Sequence, residues 1–325
     1  MQIVNPTAGR AGSPAILCAA TFALFALSVA GLFHRPRYFE LASHFRLQYL
    51  WAAALCGVFL TWRRAWTWAL LAGAIVLFNG LFIAPLYRHP RLPASAGVPL
   101  KVMLSNVMGG NRNYAAVLRE VRAENPDILV IEECTPLWWQ NLEILKADYP
   151  HSEAVLQYGG GGIVLFSRFP LENVQVHRVG GSVHTIITAR VDVNGTRLEI
   201  LAMHPLTPVT DDKFSERNRQ LAWAADYMRG LTGPRILIGD LNTTLFSPYF
   251  QDLVRDSGLH NARQGQGLLP SWPARYDVVP VIPPFLRIPI DHCLVSDEIS
   301  VARIRLGPRV GSDHLPLLAD LVIAK

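Results

Sequence analysis

Three apolar runs without a charged side chain open this chain, and they limit what its first third can fold into. Pro14 to Phe33 is twenty residues long, which as a helix matches the roughly 30 Å hydrocarbon core of a bilayer. Leu47 to Trp62 is shorter and needs help from its flanks, and Ala65 to Tyr87 tolerates Asn79 and a late Pro85. Trp51, Trp62, Trp66, Trp68 and Tyr87 cluster near the ends of these runs, as interfacial aromatics do. A cleaved signal peptide would account for the first run, with Arg10 before it and Ser28-Val-Ala30 as the cleavage site. Two more runs follow, however, so the expectation is a membrane anchor over residues 1–92 with three transmembrane helices at about 14–33, 47–62 and 65–87.

Charge divides the chain at the same place. Residues 1–99 hold eight Arg, no Lys and one acid, Glu40, while residues 100–325 hold the other 22 basic and 24 acidic residues. The basic balance therefore belongs to the anchor, and the remainder carries no basic groove of the kind nucleic-acid binding draws on. The Arg63-Arg64 pair between the second and third runs reads as a cytoplasmic hairpin, which puts the C-terminal part on the extracytoplasmic side of the inner membrane. A plain count of Arg35, Arg37, Arg46, Arg88 and Arg91 against Arg10, Arg63 and Arg64 argues the other way. The tight hairpin is given the greater weight here, because the first loop also looks interfacial. Cys18, Cys56, Cys134 and Cys293 show no metal-ligand spacing and no disulfide framework.

Residues 88–99 are rich in Pro, with 93–99 taken as the linker to a domain over 100–325. That domain alternates strand-like and helix-like stretches. Leu100–Val107, Asp127–Glu132, Gly162–Ser167, His184–Val193, Arg197–Met203, Ile236–Asp240, Ile290–Val295 and Leu315–Val322 read as strands. Tyr114–Glu124, Leu137–Lys146 and Phe214–Arg229 read as helices, and Asn194-Gly195 as a hairpin turn. The mixture indicates one α/β domain.

Polar residues recur where these apolar strands stop: Ser105-Asn106, Glu132-Glu133, His204, Asp240 with Asn242, Asp291-His292 and Ser312-Asp313-His314. Each alone is ordinary capping, and Asp240 with Asn242 is equally an Asx turn. Six such ends in one domain point to a site, because strand ends are where α/β folds assemble them. Two residues apart on extended backbone, Asp240 and Asn242 would project to the same side.

These pieces resemble the endonuclease/exonuclease/phosphatase superfamily, the family of DNase I-like nucleases, inositol polyphosphate 5-phosphatases and neutral sphingomyelinases. The matching segments are Ser105-Asn106, Asp127–Glu133, Leu165–Pro170, Met203-His204, Gly239–Asn242, Ile290-Asp291 and Gly311–His314, in family order across residues 100–325. Three apolar segments before such a domain resemble a bacterial membrane-anchored branch. The resemblance implies a four-layer α-β-β-α sandwich and divalent-metal-dependent hydrolysis of phosphoesters, with Mg²⁺ as the cofactor and Mn²⁺ as the alternative. It implies a metal set of Glu133, Asn106 and Asp313, with Glu132 the competing acid. His314 becomes the general base, oriented by Asp291. Asp240 positions the water, and Asn242 and His204 donate to phosphate oxygens. His292 is given no role. Arg168 and Trp272 are further candidates for substrate contact, Trp272 from a Pro-rich loop before the Asp291 strand.

The substrate stays open between a nucleic-acid diester and a phospholipid or sphingomyelin-type ester, with a phosphomonoester behind both. His204 in Met-His-Pro favours the first, and tethering with an aromatic loop at 264–289 favours the second. A catalytically silent binding module is the reading from another class, and the complete residue set argues against it. No obligate protein partner is evident.

Overall fold

The structure is a computed structural model that describes residues 15–88, 97–276 and 278–324. The expected linker falls mostly outside the described residues, as do Arg10 and Pro14. Beyond it lie two six-stranded sheets whose facing sides bury the central core. Sheet one runs β11 (Ile299–Leu306), β12 (Leu317–Ala324), β1 (Gly97–Asn106), β2 (Ile128–Glu132), β4 (Ile163–Ser167), β3 (His151–Val155). Sheet two runs β5 (Leu171–His177), β6 (Ile186–Val193), β7 (Thr196–Met203), β8 (Arg235–Asp240), β10 (Asp291–Val295), β9 (His260–Asn261).

Strand alternation explains the layers. Val102 and Leu104 of β1 point inward against Ile200 and Ile238 of the other sheet, while Met103 between them points out. The outer face of sheet one packs on α5 (Tyr114–Glu124) and α6 (Pro136–Leu142), through Val117, Val121 and Trp138. The outer face of sheet two packs on α7 (Asp211–Arg229) and α8 (Pro248–Ser257), through Leu221, Met228 and Phe250. This is the two-sheet α/β sandwich that the resemblance implies. The Asn194-Gly195 hairpin forms with φ of 53° and 86°, the twist that a two-residue turn between β6 and β7 needs.

The N-terminal part forms α1 (Ala15–Ala30), α2 (Arg37–Ala42), α3 (Arg46–Trp62) and α4 (Trp66–Ile83). Helices thus form at all three apolar runs, but the expectation of three full spans is corrected. Among the described residues, only Trp66–Tyr87 is long and apolar enough to cross a membrane. Helix α1 has 16 described residues, and α3 has 17 and opens on a buried Arg46. Arg46, just ahead of the second run, donates to Oδ1 of Asn79 in the third at 3.2 Å, which ties α3 to α4 inside the bundle. The bundle surface is apolar: Leu55, Val58, Leu70, Leu77 and Leu81 are 64–76% exposed.

Candidate active site

Parallel pairing brings the site together. In sheet one β1 and β2 run parallel with Asn106 opposite Glu132, so both strands end at one edge. In sheet two β7 and β8 are parallel and β10 runs back beside β8, placing Asp291 opposite Asp240. The sheets are tied at this edge by Glu132, whose two carboxylate oxygens each accept the Asp240 backbone N–H at 3.1 Å. Gly239 is demanded from both sides, since a Cβ there would lie 1.8 Å from the Met203 carbonyl oxygen of the neighbouring β7 and 2.9 Å from Glu132 Oε1 of the other sheet.

The adjacent acids separate into two roles. Glu132 is wholly buried, and burial together with Asp240 and Asp291 pushes its carboxyl well above the usual range. Glu133 leaves the strand with a left-handed φ of 58°, which turns its side chain into the cleft. There its oxygens accept from Asn106 Nδ2 at 3.2 Å and from the Gly109 N–H at 3.0 Å. Asn106 Nδ2 also reaches Asp240 Oδ2 at 3.3 Å. Asn106 Nδ2 therefore bridges the Glu133 and Asp240 carboxylates, whose oxygens form the hard-donor set that Mg²⁺ or Mn²⁺ takes, while Asn106 Oδ1 accepts the Met108 N–H at 3.1 Å. Asp313 stands apart from this set: its Oδ2 accepts Trp272 Nε1 at 3.0 Å.

His314 is held by its neighbours on both sides. Its Nδ1 bonds Asp291 Oδ2 at 2.9 Å, and its Nε2 lies 3.6 Å from Asp240 Oδ2. Burial alone would lower its pKa, but the Asp291 and Asp240 carboxylates outweigh that and raise it to about 10. Burial pushes Asp291 up, yet His314, the Ser271 hydroxyl and the Arg263 guanidinium outweigh it and hold the carboxyl below the usual range. Asp240 is raised to about 7, first by burial, against the opposing charge of His314. Asp240, Asp291 and His314 bring ligand-type atoms within 4.8 Å of one another. The His314–Asp291 bond already engages two of those residues with each other. The Ser312 hydroxyl fastens the C-terminal motif to the first strand by donating to the Asn106 carbonyl at 2.8 Å.

His204 Nε2 lies 3.5 Å from Asp240 Oδ2. Burial first, then the His184 and His314 rings, lower its pKa to about 3, so the imidazole stays neutral. Asn242 is brought to the site by a route the strand pattern did not foresee. It lies beyond β8 with a left-handed φ of 49°, and its backbone N–H donates to Asp240 Oδ1 at 2.9 Å. The Asx turn and the site are thus the same structure. Its Nδ2 donates to the Pro205 carbonyl at 3.0 Å, which leaves that nitrogen one further hydrogen.

Trp272 lines the same cavity, with its ring centroid 6.4 Å from that of His314. Arg168 does not reach it. Its guanidinium bonds Asn125 Oδ1 and lies over the Tyr149 ring in a separate hollow, so the suggested substrate contact is corrected. His292 turns outward, bonding the Thr243 carbonyl at 2.9 Å.

Several residues of the site went unread in the sequence. Ser271 donates to Asp291 Oδ2, and the buried Arg263 donates to the Asp291 carbonyl. His184 Nδ1 bonds the His204 carbonyl oxygen at 2.7 Å. The largest omission is the segment around α2: Arg37, Leu41, His44 and Phe45 form one wall of a cavity of about 520 Å³ whose floor is Asp240, Asn242 and His314. The one available signal was Glu40, the only acid among the first 99 residues.

Solved structures share the fold. TDP2 of D. rerio complexed with single strand DNA product is 15% identical, with a TM-score of 0.58 over 69% of this chain and 98% of that one. The 3′ phosphatase NExo from Neisseria, bound to product DNA hairpin, is 19% identical, with a TM-score of 0.57 over 68% and 98%. The endonuclease/exonuclease/phosphatase from Beutenbergia cavernae is 23% identical, with a TM-score of 0.56 over 70% and 72%. No curated protein matches the chain. The Endonuclease/Exonuclease/phosphatase family model matches residues 103–314, from the first strand through His314, and the chain belongs to that family.

Proposed function

We propose that this chain is a divalent-metal-dependent hydrolase of phosphodiesters. The observation that carries the reading is the His314 ring, fixed by Asp291 at Nδ1 and set 3.6 Å from Asp240 Oδ2 at Nε2. A water lying beside that pair can reach both atoms. Its oxygen bonds to phosphorus, its proton passes to Asp240, which faces the His314 ring, and the ester P–O bond breaks on the far side. The departing alcohol oxygen takes a proton from solvent. Asp291 keeps the Nδ1 hydrogen on its own side, so Nε2 is the nitrogen turned to that water. His204 and Asn242 contribute N–H groups to phosphoryl oxygens without adding net charge. Glu133 and Asp240, bridged by Asn106, are the residues that would hold Mg²⁺ or Mn²⁺, with Asp313, bonded to Trp272, standing apart. The ion supplies neutralisation of phosphate charge when bound.

Fold neighbours crystallised with DNA products support a nucleic-acid ester as one substrate reading. The near-neutral charge of residues 100–325 supports it poorly. We further propose attachment to the inner membrane through Trp66–Tyr87, with α1 and α3 packed around it. The Arg63-Arg64 turn supports a catalytic domain on the extracytoplasmic side. The test is turnover of bis(para-nitrophenyl) phosphate by the full chain with and without Mg²⁺. Metal-dependent release of nitrophenolate, lost in His314→Ala, is expected; equal rates in the variant would sink the reading.

A further inference from the structure

The N-terminal segment forms part of the site. Glu40 of α2 is completely buried against the catalytic domain, where its Oε1 accepts from Arg217 Nη2 at 3.0 Å and from Thr243 Oγ1 at 3.3 Å. The Ser247 hydroxyl bonds the same oxygen. Arg217 is itself buried and donates to the Asn242 carbonyl at 2.8 Å, so the contact reaches a residue of the cavity floor. Arg37 donates to the Val209 carbonyl at 2.8 Å, and His44 Nδ1 lies 3.1 Å from Thr244 Oγ1. The far end of the bundle is fastened too, since the Gly267 N–H donates to the Leu86 carbonyl at 2.8 Å.

The cavity this creates has two kinds of surface. Its floor is charged and polar, while Leu41 and Phe45 from the N-terminal segment face it together with Val209, Trp272, Ile288 and Ile290. A second groove of about 410 Å³ meets it at Glu133 and His204 and leads away past Gly110, Thr135 and Lys213. The reacting position thus sits between an apolar trough and a polar one. The apolar trough lies beside the helix bundle, and Phe33, Tyr38, Phe39, Phe285 and Leu286 stand exposed in segments packed around it.

We propose that the substrate is a membrane lipid phosphoester, and this rests on the phosphodiesterase reading and on membrane attachment. The phosphate lies over His314, Asp240 and Asn242, the lipid chain runs along Leu41 and Phe45 toward the bilayer, and the polar substituent occupies the groove past Lys213. Leu41 and Phe45 are then specificity residues, supplied by the segment that attaches the enzyme to its substrate's own phase. Hydrolysis adds water across one P–O bond, giving an alcohol and a phosphate monoester, and needs no other reactant.

The test uses the full chain in phosphatidylcholine nanodiscs with two probes, hexadecyl para-nitrophenyl phosphate and methyl para-nitrophenyl phosphate. Wild type is expected to show a kcat/KM at least about tenfold higher on the hexadecyl ester, since burying even part of the chain is worth that much. Leu41→Ser with Phe45→Ser is expected to bring that ratio to about threefold or less. Phe45→Ser alone, at a partly exposed position, covers the case in which the double variant fails to fold. A wild-type ratio near one, a variant loss falling equally on both esters, or faster cleavage of a single-stranded DNA oligonucleotide than of either ester would each overturn the proposal. Absence of metal-dependent turnover on all three probes would instead overturn the hydrolase reading beneath it.

Discussion

The Nδ1 nitrogen of His314 and the Oδ2 oxygen of Asp291 lie 2.9 Å apart, and both side chains are almost fully buried. A buried imidazole without that partner would favour its neutral form and lose its fixed tautomer. Asp291→Asn keeps the shape but offers an amide, and would let Nδ1 become the acceptor. Its kcat on bis(para-nitrophenyl) phosphate is expected to fall about 10⁴-fold with KM little changed, a loss of the size seen when a catalytic histidine is mis-oriented. Steady-state kinetics at saturating Mg²⁺ check this, and a fall of less than tenfold would remove the pair from the chemistry.

Glu132 and Glu133 are neighbours in sequence with opposite expectations. Glu133→Gln removes a charge from the oxygen set next to Asn106, so the Mg²⁺ concentration for half-maximal activity is expected to rise about tenfold or more. Glu132 is wholly buried with its oxygens turned to the Asp240 N–H and does not line the cavity, so Glu132→Gln keeps an acceptor of the same shape away from the metal-binding oxygens. Its metal requirement is expected to stay at the wild-type value, with stability changed by no more than about 1 kcal/mol. Metal titrations and thermal unfolding of the two variants decide it; a shift in metal requirement for Glu132→Gln would reverse the assignment.

Acid should loosen α2. Burial lowers the His44 pKa to about 4, with Glu40 opposing. Free of its contacts, the ring takes up a proton near 6.5, while the docked ring resists. Docking therefore weakens as pH falls from about 6.5 to about 4, by on the order of 3 kcal/mol across the window. Glu40 acts in the same direction at lower pH. Burial raises it, but His44 and Arg217 outweigh that and hold it below its usual value, so its contribution is present above about 4.5 and is lost as acid protonates it. Protection factors of amides 37–45, referred to the intrinsic exchange rate at each pH, are expected to fall between pH 7 and pH 4.5. Unchanged protection would show that the segment is held by other contacts.

Much of this arrangement could be read along the chain, because apolar strands with polar ends repeat at short range. Val102, Leu104, Ile236 and Ile238 take the inward positions that their alternation requires, and Asn106, Glu133, Asp240, Asp291 and His314 converge where those strands end. Strands β3, β5, β9 and β11 were not foreseen. Each is a sheet edge, where half-exposed positions admit Glu172, Gln175, Arg303 and Arg305 and blur the period. Asn242 was reached for the wrong reason, since its place depends on a left-handed residue beyond the strand. Ser271, Arg263 and Arg217 were illegible, because each acts on a partner far along the chain through a contact no local pattern encodes.

The distance between Glu40 and Arg217 is 177 residues along the chain. At about 5–20 residues per second, a ribosome takes roughly 10 to 35 s to supply the guanidinium after the carboxylate has emerged. During that interval the acid has only His44, 3.8 Å away one turn on, and lacks the guanidinium it is buried against, so α2 waits undocked. The cavity wall is consequently among the last pieces to be set, after α7 has been made and packed. A nascent or truncated chain ending before Arg217 would carry all four N-terminal helices and no closed pocket, since Asp240, Asn242 and His314 of its floor come later still.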